Sequence, residues 1–365
     1  MRGQQCMEWK NPIKNKIAQV SEPCQIHFIS EDIHQLGDGE ILLAIQASLI
    51  CGSDLHIYKG LHPAVNLPVT IGHEFTGKVI AVGNGVTKCK AGDLVTVEPV
   101  ITCGVCSACR RGEYGYCKEI SYTYRQGHGA LARYFVAKEE KVYVLPPGIS
   151  VEKAALAEPL AVAVHAVKRA QVCLGDRVVI AGAGAIGIMI AMVCKKIGAK
   201  CVVISDVSEY RLSMARELGA DIAVNASNGN IEDEIERLSS GEGFDKAFEC
   251  VGKEATFVQL MSCLKMNGLL TDVGIFEKPL IRLDASLIVK KELRIQGAQG
   301  YCWDFEAALQ LLQELPFEKL ITHRFPLHEV RQAMETALDP KSRAIKVCLI
   351  PDWDQGTGGM ENGSL

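Results

Sequence analysis

Residues 177–206 read RVVIAGAGAIGIMIAMVCKKIGAKCVVISD, and the succession of patterns in that stretch decides the fold. Arg177 to Ala181 is a β-branched apolar run with the character of a buried strand. It leads into Gly182-x-Gly184-x-x-Gly187, after which IGIMIAMVCKKIG has the length and apolarity of a helix. Glycine at these spacings lets the backbone turn tightly, approach a pyrophosphate and pack helix on strand, while the free amides of the helix N-terminus favour an anion. Gly182, Gly184, Ile186 and Gly187 are therefore candidate nucleotide-binding positions. A second strand, CVVIS, ends at Asp206, nineteen residues past Gly187, where a carboxylate can accept hydrogen bonds from the adenosine ribose. Its charge repels a 2'-phosphate, so the expected cofactor is NAD rather than NADP. Arg211 either stacks near the adenine or helps hold a phosphate. The glycines alone would serve strand-to-helix packing equally well, so the flanking strand, helix and acid carry the reading.

Downstream the same alternation continues through KAFECVG and LLTDVG, whose continuous apolar runs fit parallel strands covered by helices on both faces. This predicts an α/β doubly wound, Rossmann-type domain over residues 161–300. Upstream, from Ile26 to Val144, short runs such as ILLAIQASLI, GKVIAVG, DLVTVEP and ARYFVA are separated by Gly, Pro, Asn and Asp turns, which reads as a mostly β, barrel-like domain. After Pro146-Pro147-Gly148 the pattern becomes helical in AALAEPLAVAVHAVKRA. Past Trp303 the alternation ends. Residues 304–351 hold an amphipathic helix, a short strand around HRFP, another helix and AIKVCLI, and are expected to return to the first domain, giving it residues 1–160 and 301–365. The polar, Gly-rich segment DQGTGGMENGSL is expected to be mobile.

At 365 residues the chain exceeds what one hydrophobic core usually supports. Its 48% hydrophobic and 22% charged residues are ordinary for a globular protein, and a net charge of -4 without a dense Lys/Arg block argues against a nucleic-acid partner. No apolar run of about 18 residues suggests a membrane span, and the N-terminus lacks the pattern of a secretory signal, so a cytoplasmic location is expected. Fifteen cysteines, an odd number, read as reduced thiols and thiolate ligands rather than a disulfide framework.

Four of them form one motif. Cys103-x-x-Cys106-x-x-Cys109, followed by Cys117, places four sulfurs within a short Gly-rich loop. Four thiolates saturate a tetrahedral zinc, so this site is expected to be structural. A catalytic zinc instead needs about three protein ligands and one open position, drawn from distant parts of the chain. Cys51-Gly52-Ser53-Asp54-Leu55-His56, Gly72-His73-Glu74 and Ala157-Glu158-Pro159 supply Cys51, His73 and a carboxylate from Glu74 or Glu158. Each has an ordinary alternative: a core cysteine, a turn histidine, an inward ion-pair partner, a helix N-terminal acid.

In their order and spacing these segments, with the four-cysteine loop and the glycine fingerprint, resemble the zinc-containing medium-chain dehydrogenases over nearly the whole length. The likeness is greatest to the polyol branch, because Glu158 stands where the ethanol-oxidising members carry cysteine. The resemblance implies a GroES-like first domain, with Cys51, His73 and Glu74 around the catalytic zinc and Glu158 bound directly or through water. Which carboxylate bonds the metal stays open. It places Ser53 at the substrate oxygen and His56 on a relay to solvent, and it brings Val273, Gly274, Ala298 and Gln299 to the nicotinamide. Asp54 is expected to orient His73, since ligating histidines usually donate their other ring nitrogen to an acceptor.

The reading is therefore an oxidoreductase with NAD and two zinc ions per chain, converting a small secondary alcohol to a ketone, and a homo-oligomer by analogy. Candidate substrates are sugar alcohols, inositols, diols and hydroxy amino acids. Sorbitol dehydrogenases carry an arginine where this chain has Gly300, which counts against sorbitol itself. Tyr301 and Trp303 either line the substrate cleft or pack at the domain seam. Zinc-independent reductases of the superfamily lack the cysteine loop and the Cys/His/Glu set, and a binding protein on the same scaffold would not need them.

Overall fold

The computed structural model describes residues 12–227, 237–239, 241–276 and 278–352. The segment 354–365, expected to be mobile, lies outside them. The chain divides into one unit of residues 1–158 and 317–365 and a second of residues 159–316. No helix among the described residues is long and apolar enough to cross a membrane.

The first unit is built on a seven-stranded sheet whose centre is the apolar run Glu40–Leu49. That strand pairs antiparallel with Glu74–Val82, Tyr134–Lys138 and Lys346–Ile350. Ile41, Leu43 and Ile45 join Phe75, Val95 and Phe135 in one core, where the Phe75 and Phe135 rings sit 4.7 Å apart. Past the strand end, Ile50, Ile57 and Tyr58 join Ile71, Leu131, Met334 and Leu349 in another. The strands Ile13–Glu22 and Gln25–Ile33 form a hairpin that the sequence reading did not mark. Its burial pattern is irregular, Ile17, Ala18 and Val20 all being buried, so no two-residue alternation announces it.

The second unit holds a six-stranded, wholly parallel sheet in the order Ile222–Asn225, Cys201–Asp206, Arg177–Ala181, Phe244–Glu249, Leu264–Asp272, Arg294–Gly297. This is the doubly wound, Rossmann-type arrangement of the α/β class expected from residues 177–206. The four strands legible as apolar runs are the inner ones. The two edge strands are short and only half buried or exposed, and so lack the apolar signature of doubly covered strands. The helix Ala185–Ile197 follows the glycine turn, burying Ile188 to Cys194.

One boundary differs from the sequence reading. Residues 301–316, assigned there to the first domain, belong to the second unit. Asp304 has no exposed side-chain surface, accepts from Lys168 and lies 2.8 Å from His165 Nδ1, and both partners sit on the helix Ala157–Ala170. Phe305, Ala308 and Leu312 of the next helix are fully buried, and Tyr301 packs edge-on against Phe305. Amphipathicity showed that this helix covers a core. It did not show which one.

Candidate active site

The sheet of the first unit brings distant residues together by register. Leu49 lies opposite Glu74, so the chain leaving the central strand at Ile50 places Cys51 beside the His73–Glu74 corner. Lys346–Ile350 continues the pairing on the other side, with Leu349 opposite Ser48 and Ile50 N–H bonded to the Val347 carbonyl at 3.0 Å. The ligating atoms of Cys51, His73 and Glu74 all lie within 4.8 Å of one another. His73 and Glu74 are buried and Cys51 is partly exposed. Sulfur, imidazole and carboxylate in one group fit a zinc ion with a position left for a further ligand.

Neighbouring groups fix that trio. Asp54, fully buried on the helix Gly52–Tyr58, accepts the backbone N–H of Cys51 at 3.0 Å and of Gly72 at 3.2 Å. It thereby ties the two ligand-bearing turns together. Its Oδ1 lies 3.5 Å from His73 Nδ1, close enough for an ion pair but long for a hydrogen bond, and Nδ1 has no other partner among the described residues. That orientation leaves Nε2 as the nitrogen free to bind metal. Burial works against an imidazolium at His73, but the charges of Asp54 and Cys51 outweigh it and hold the pKa well above its ordinary value. The Tyr124 ring packs on the His73 ring at 5.1 Å.

The residue that sequence reasoning missed is Lys346. Its Nζ lies 2.5 and 2.6 Å from the two carboxylate oxygens of Glu74 and 3.4 Å from the Ile50 carbonyl, all within the interior. Burial would discharge this amine; Glu74 and Cys51 outweigh that and raise its pKa. Glu158 is nearly buried near the start of the helix Ala157–Ala170 and is not one of the three clustered ligands. Its charge is felt at Lys346 and at Tyr122, whose hydroxyl is pushed up to about 12 by burial first and Glu158 second. Ser53 and His56 are partly exposed, and their i, i+3 spacing puts them on one face of the helix that carries Asp54.

Cys103, Cys106, Cys109 and Cys117 form the second cluster, their sulfurs again within 4.8 Å. Two of the sulfur pairs are 3.5 Å apart, Cys106 with Cys109 and Cys103 with Cys117. A disulfide needs about 2.0 Å, whereas a tetrahedron with Zn–S bonds of about 2.3 Å has edges of about 3.8 Å. Backbone amides already point at the sulfurs: Cys103 N–H to Cys117 Sγ at 3.3 Å and Cys106 N–H to Cys103 Sγ at 3.4 Å. Such donors favour thiolates at Cys106, lowered chiefly by the backbone N–H of Cys109, and at Cys117, lowered chiefly by that of Cys103, whereas burial and the neighbouring sulfurs raise Cys109.

In the second unit the candidate nucleotide residues share the C-terminal ends of the parallel strands, where open α/β sheets bind ligands. A Cβ on Gly187 would run into the Gly182 carbonyl, so glycine there serves packing. Around Gly184 no atom of the described residues, its neighbours in the chain aside, stands within 4 Å of a Cβ position, so that face is open. Ile186 lies in the first turn of the helix that follows. Asp206 accepts Ala183 N–H at 2.8 Å and Ser208 N–H at 2.9 Å, which locks the glycine turn to the end of the next strand. Arg211 N–H reaches Ser208 Oγ at 3.5 Å. Val273 and Gly274 both donate to the Glu249 carbonyl, at 2.9 and 3.0 Å, and Ala298 donates to Asp272 at 2.9 Å. Gly274 has a packing reason of its own, since a Cβ would strike the Glu249 carboxylate. Gln299 is exposed, as is Trp303 at 66%, while Tyr301 is buried in this unit's core.

Comparison with known proteins bears on both units. Residues 37–147 match the family described as the alcohol dehydrogenase GroES-like domain, and residues 185–314 the family described as zinc-binding dehydrogenase. A sorbitol dehydrogenase of Halalkalibacterium halodurans is 35% identical over 86% of this chain and 92% of its own. An L-threonine 3-dehydrogenase of Yersinia pestis is 35% identical over 88% of this chain and 94% of its own. The crystal structure of 2R,3R-butanediol dehydrogenase from Bacillus subtilis superposes with a TM-score of 0.85 at 30% identity, covering 93% of this chain and all of that one.

Proposed function

Because the chain belongs to the zinc-containing medium-chain dehydrogenases, with their GroES-like and Rossmann-type domains, we propose that it oxidises a secondary alcohol of the polyol class to a ketone, with NAD as acceptor. The observation that carries this reading is the Cys51, His73 and Glu74 group, with its histidine and glutamate buried and its ligating atoms within 4.8 Å of one another. When bound, zinc supplies Lewis acidity toward an alcohol oxygen, and NAD supplies the hydride acceptor.

The chain's own residues do the rest. Cys51, His73 and Glu74 hold the catalytic metal, with Glu74 rather than Glu158 as the carboxylate ligand because it alone of the two stands in the cluster. Glu158 acts nearby, holding water. Asp54 fixes the His73 ring, and Lys346 balances the Glu74 charge. Ser53 Oγ takes the alcohol proton and the His56 ring carries it outward along the face they share. Cys103, Cys106, Cys109 and Cys117 hold a second, structural zinc. Gly182, Gly184, Ile186 and Gly187 seat the pyrophosphate, Asp206 takes the ribose hydroxyls with Arg211 beside it, and Val273, Gly274, Ala298 and Gln299 meet the nicotinamide. The fixed carboxylate of Asp206 disfavours a 2'-phosphate and so favours NAD over NADP.

Thiolate ligands suit a compartment that keeps cysteines reduced, so we place the protein in the cytoplasm. Assembly as a homo-oligomer is supported by the edge strand Arg294–Gly297, whose outer side is unpaired among the described residues, with Val289 79% exposed before it.

The test is a panel of polyols, inositols, diols and threonine followed by NADH absorbance, run beside metal analysis. We expect two zinc ions per chain, turnover with at least one alcohol class, and a faster rate with NAD. A single zinc with no turnover would sink the enzymatic reading, and a clear NADP preference would overturn the role given to Asp206.

A further inference from the structure

The first unit contains a cavity of about 320 Å³ lined by Gln19, Glu31, Asn66, Thr70 and Arg125 among others. Arg125 sits on the short turn Thr123–Gln126, directly after the strand Ser121–Tyr122. Its guanidinium carbon lies 5.3 Å from the centre of the Tyr122 ring and 5.9 Å from that of Tyr124. Stacking on two rings, with a hydrogen bond to the Tyr124 side chain, fixes the direction of the side chain. Among the described residues, the buried Nε atom has no hydrogen-bond partner and no carboxylate forms an ion pair with the group. Glu31, the acid among the lining residues, is exposed and its charge is screened by solvent. A desolvated donor is costly to leave unmade, and a guanidinium matches phosphate or carboxylate through two parallel bonds.

One shared ring stands between this arginine and the candidate metal site. Its stacking partner Tyr124 is the ring that packs on His73, so two ring contacts, of 5.9 and 5.1 Å, link the guanidinium to a metal ligand. We propose that Arg125 binds a negatively charged terminus, phosphate or carboxylate, of the alcohol this protein oxidises. The inference rests on the dehydrogenase reading and narrows its substrate class from neutral polyols to anionic ones. Gln19, Asn66 and Thr70 supply further hydrogen-bonding groups for the same terminus.

The experiment is steady-state kinetics of the zinc-loaded enzyme with NAD on matched pairs: sorbitol against sorbitol 6-phosphate, and threonine against threonine amide. The first pair reports on phosphate and the second on carboxylate. We expect the anionic member of one pair to be favoured at least tenfold in kcat/KM. Arg125→Met should cut that ratio at least tenfold, mainly through KM, and Arg125→Lys should restore part of it. Zinc content and NADH binding check that each variant is folded. Neutral members used as well as anionic ones in both pairs would overturn the proposal on the unsubstituted protein alone, whether or not the variants fold. So would an Arg125→Met enzyme that slows on both members of a pair alike, the result of a purely structural arginine. Failure of the dehydrogenase reading is distinguishable, because no member of either pair, nor any other alcohol, would then yield NADH.

Discussion

The two cysteine-bearing clusters are built by opposite means. The four-sulfur cluster draws every ligand from Cys103 to Cys117 and aims backbone amides of the same loop at its sulfurs. The Cys51, His73 and Glu74 cluster takes its ligands from two turns and its support from elsewhere: Asp54 on a helix, and Lys346 on a strand 272 residues from Glu74. A local site can be complete with its loop and closed to other ligands. A site assembled across a sheet can leave one face free, at the cost of depending on groups that never touch the metal.

The largest expected effect separates the two directly. Cys51→Ser should abolish turnover while leaving NADH binding nearly intact. Cys106→Ser should instead release one zinc and lower stability by several kcal/mol, less than the roughly 10 kcal/mol or more seen in isolated zinc-finger peptides, with activity retained in the folded fraction. Metal content, urea denaturation and NADH formation on the same samples read both. If Cys51→Ser left activity unchanged, the contrast between an open and a closed site would be lost.

Lys346 tests the dependence on remote support. Lys346→Met leaves the Glu74 carboxylate buried without its counter-charge, and removing one partner of such a pair costs about 3 to 5 kcal/mol. The loss should be smaller in the zinc-loaded protein, because a metal at that carboxylate offsets the missing charge. Equal losses with and without zinc, measured by urea denaturation, would remove Glu74 from the ligand set.

A smaller change should follow at Asp54. Asp54→Asn keeps the shape but weakens the hold on His73 Nδ1 and on the amides of Cys51 and Gly72. Loss of such an outer partner typically lowers metal affinity about 10- to 100-fold. Competition with a zinc chelator should show this at the catalytic site and leave the four-cysteine site unmoved. Release of both metals together would mean that the two sites are not independent.

The same contrast explains what could be read from the sequence. The four-cysteine loop is visible because all its geometry is local, and the glycine turn with Asp206 because one strand, one turn and one helix contain it. Ligand chemistry could gather Cys51, His73 and a carboxylate as candidates, but spacing could not choose between Glu74 and Glu158, since Leu49 opposite Glu74 is a fact of register. Lys346 carries no signal at all: in AIKVCLI it reads as one lysine in an apolar strand. The edge strands Ile222–Asn225 and Arg294–Gly297 escaped for a related reason, being too short and too exposed to show the pattern of the inner four. The amphipathic helix after Asp304 is legible, but the bonds of Asp304 to His165 and Lys168, which decide where that helix docks, are not.

The strand Lys346–Ile350 also has a bearing on how the protein is made. On the ribosome, the Rossmann-type unit has all of its sequence once residue 316 has emerged, and the four-cysteine loop much earlier. The catalytic ligands emerge early too, yet until Lys346 arrives the Glu74 carboxylate lacks the cation it pairs with in the finished interior. A nascent chain should therefore load its structural metal well before it acquires a competent reaction centre, which waits until Lys346 has emerged.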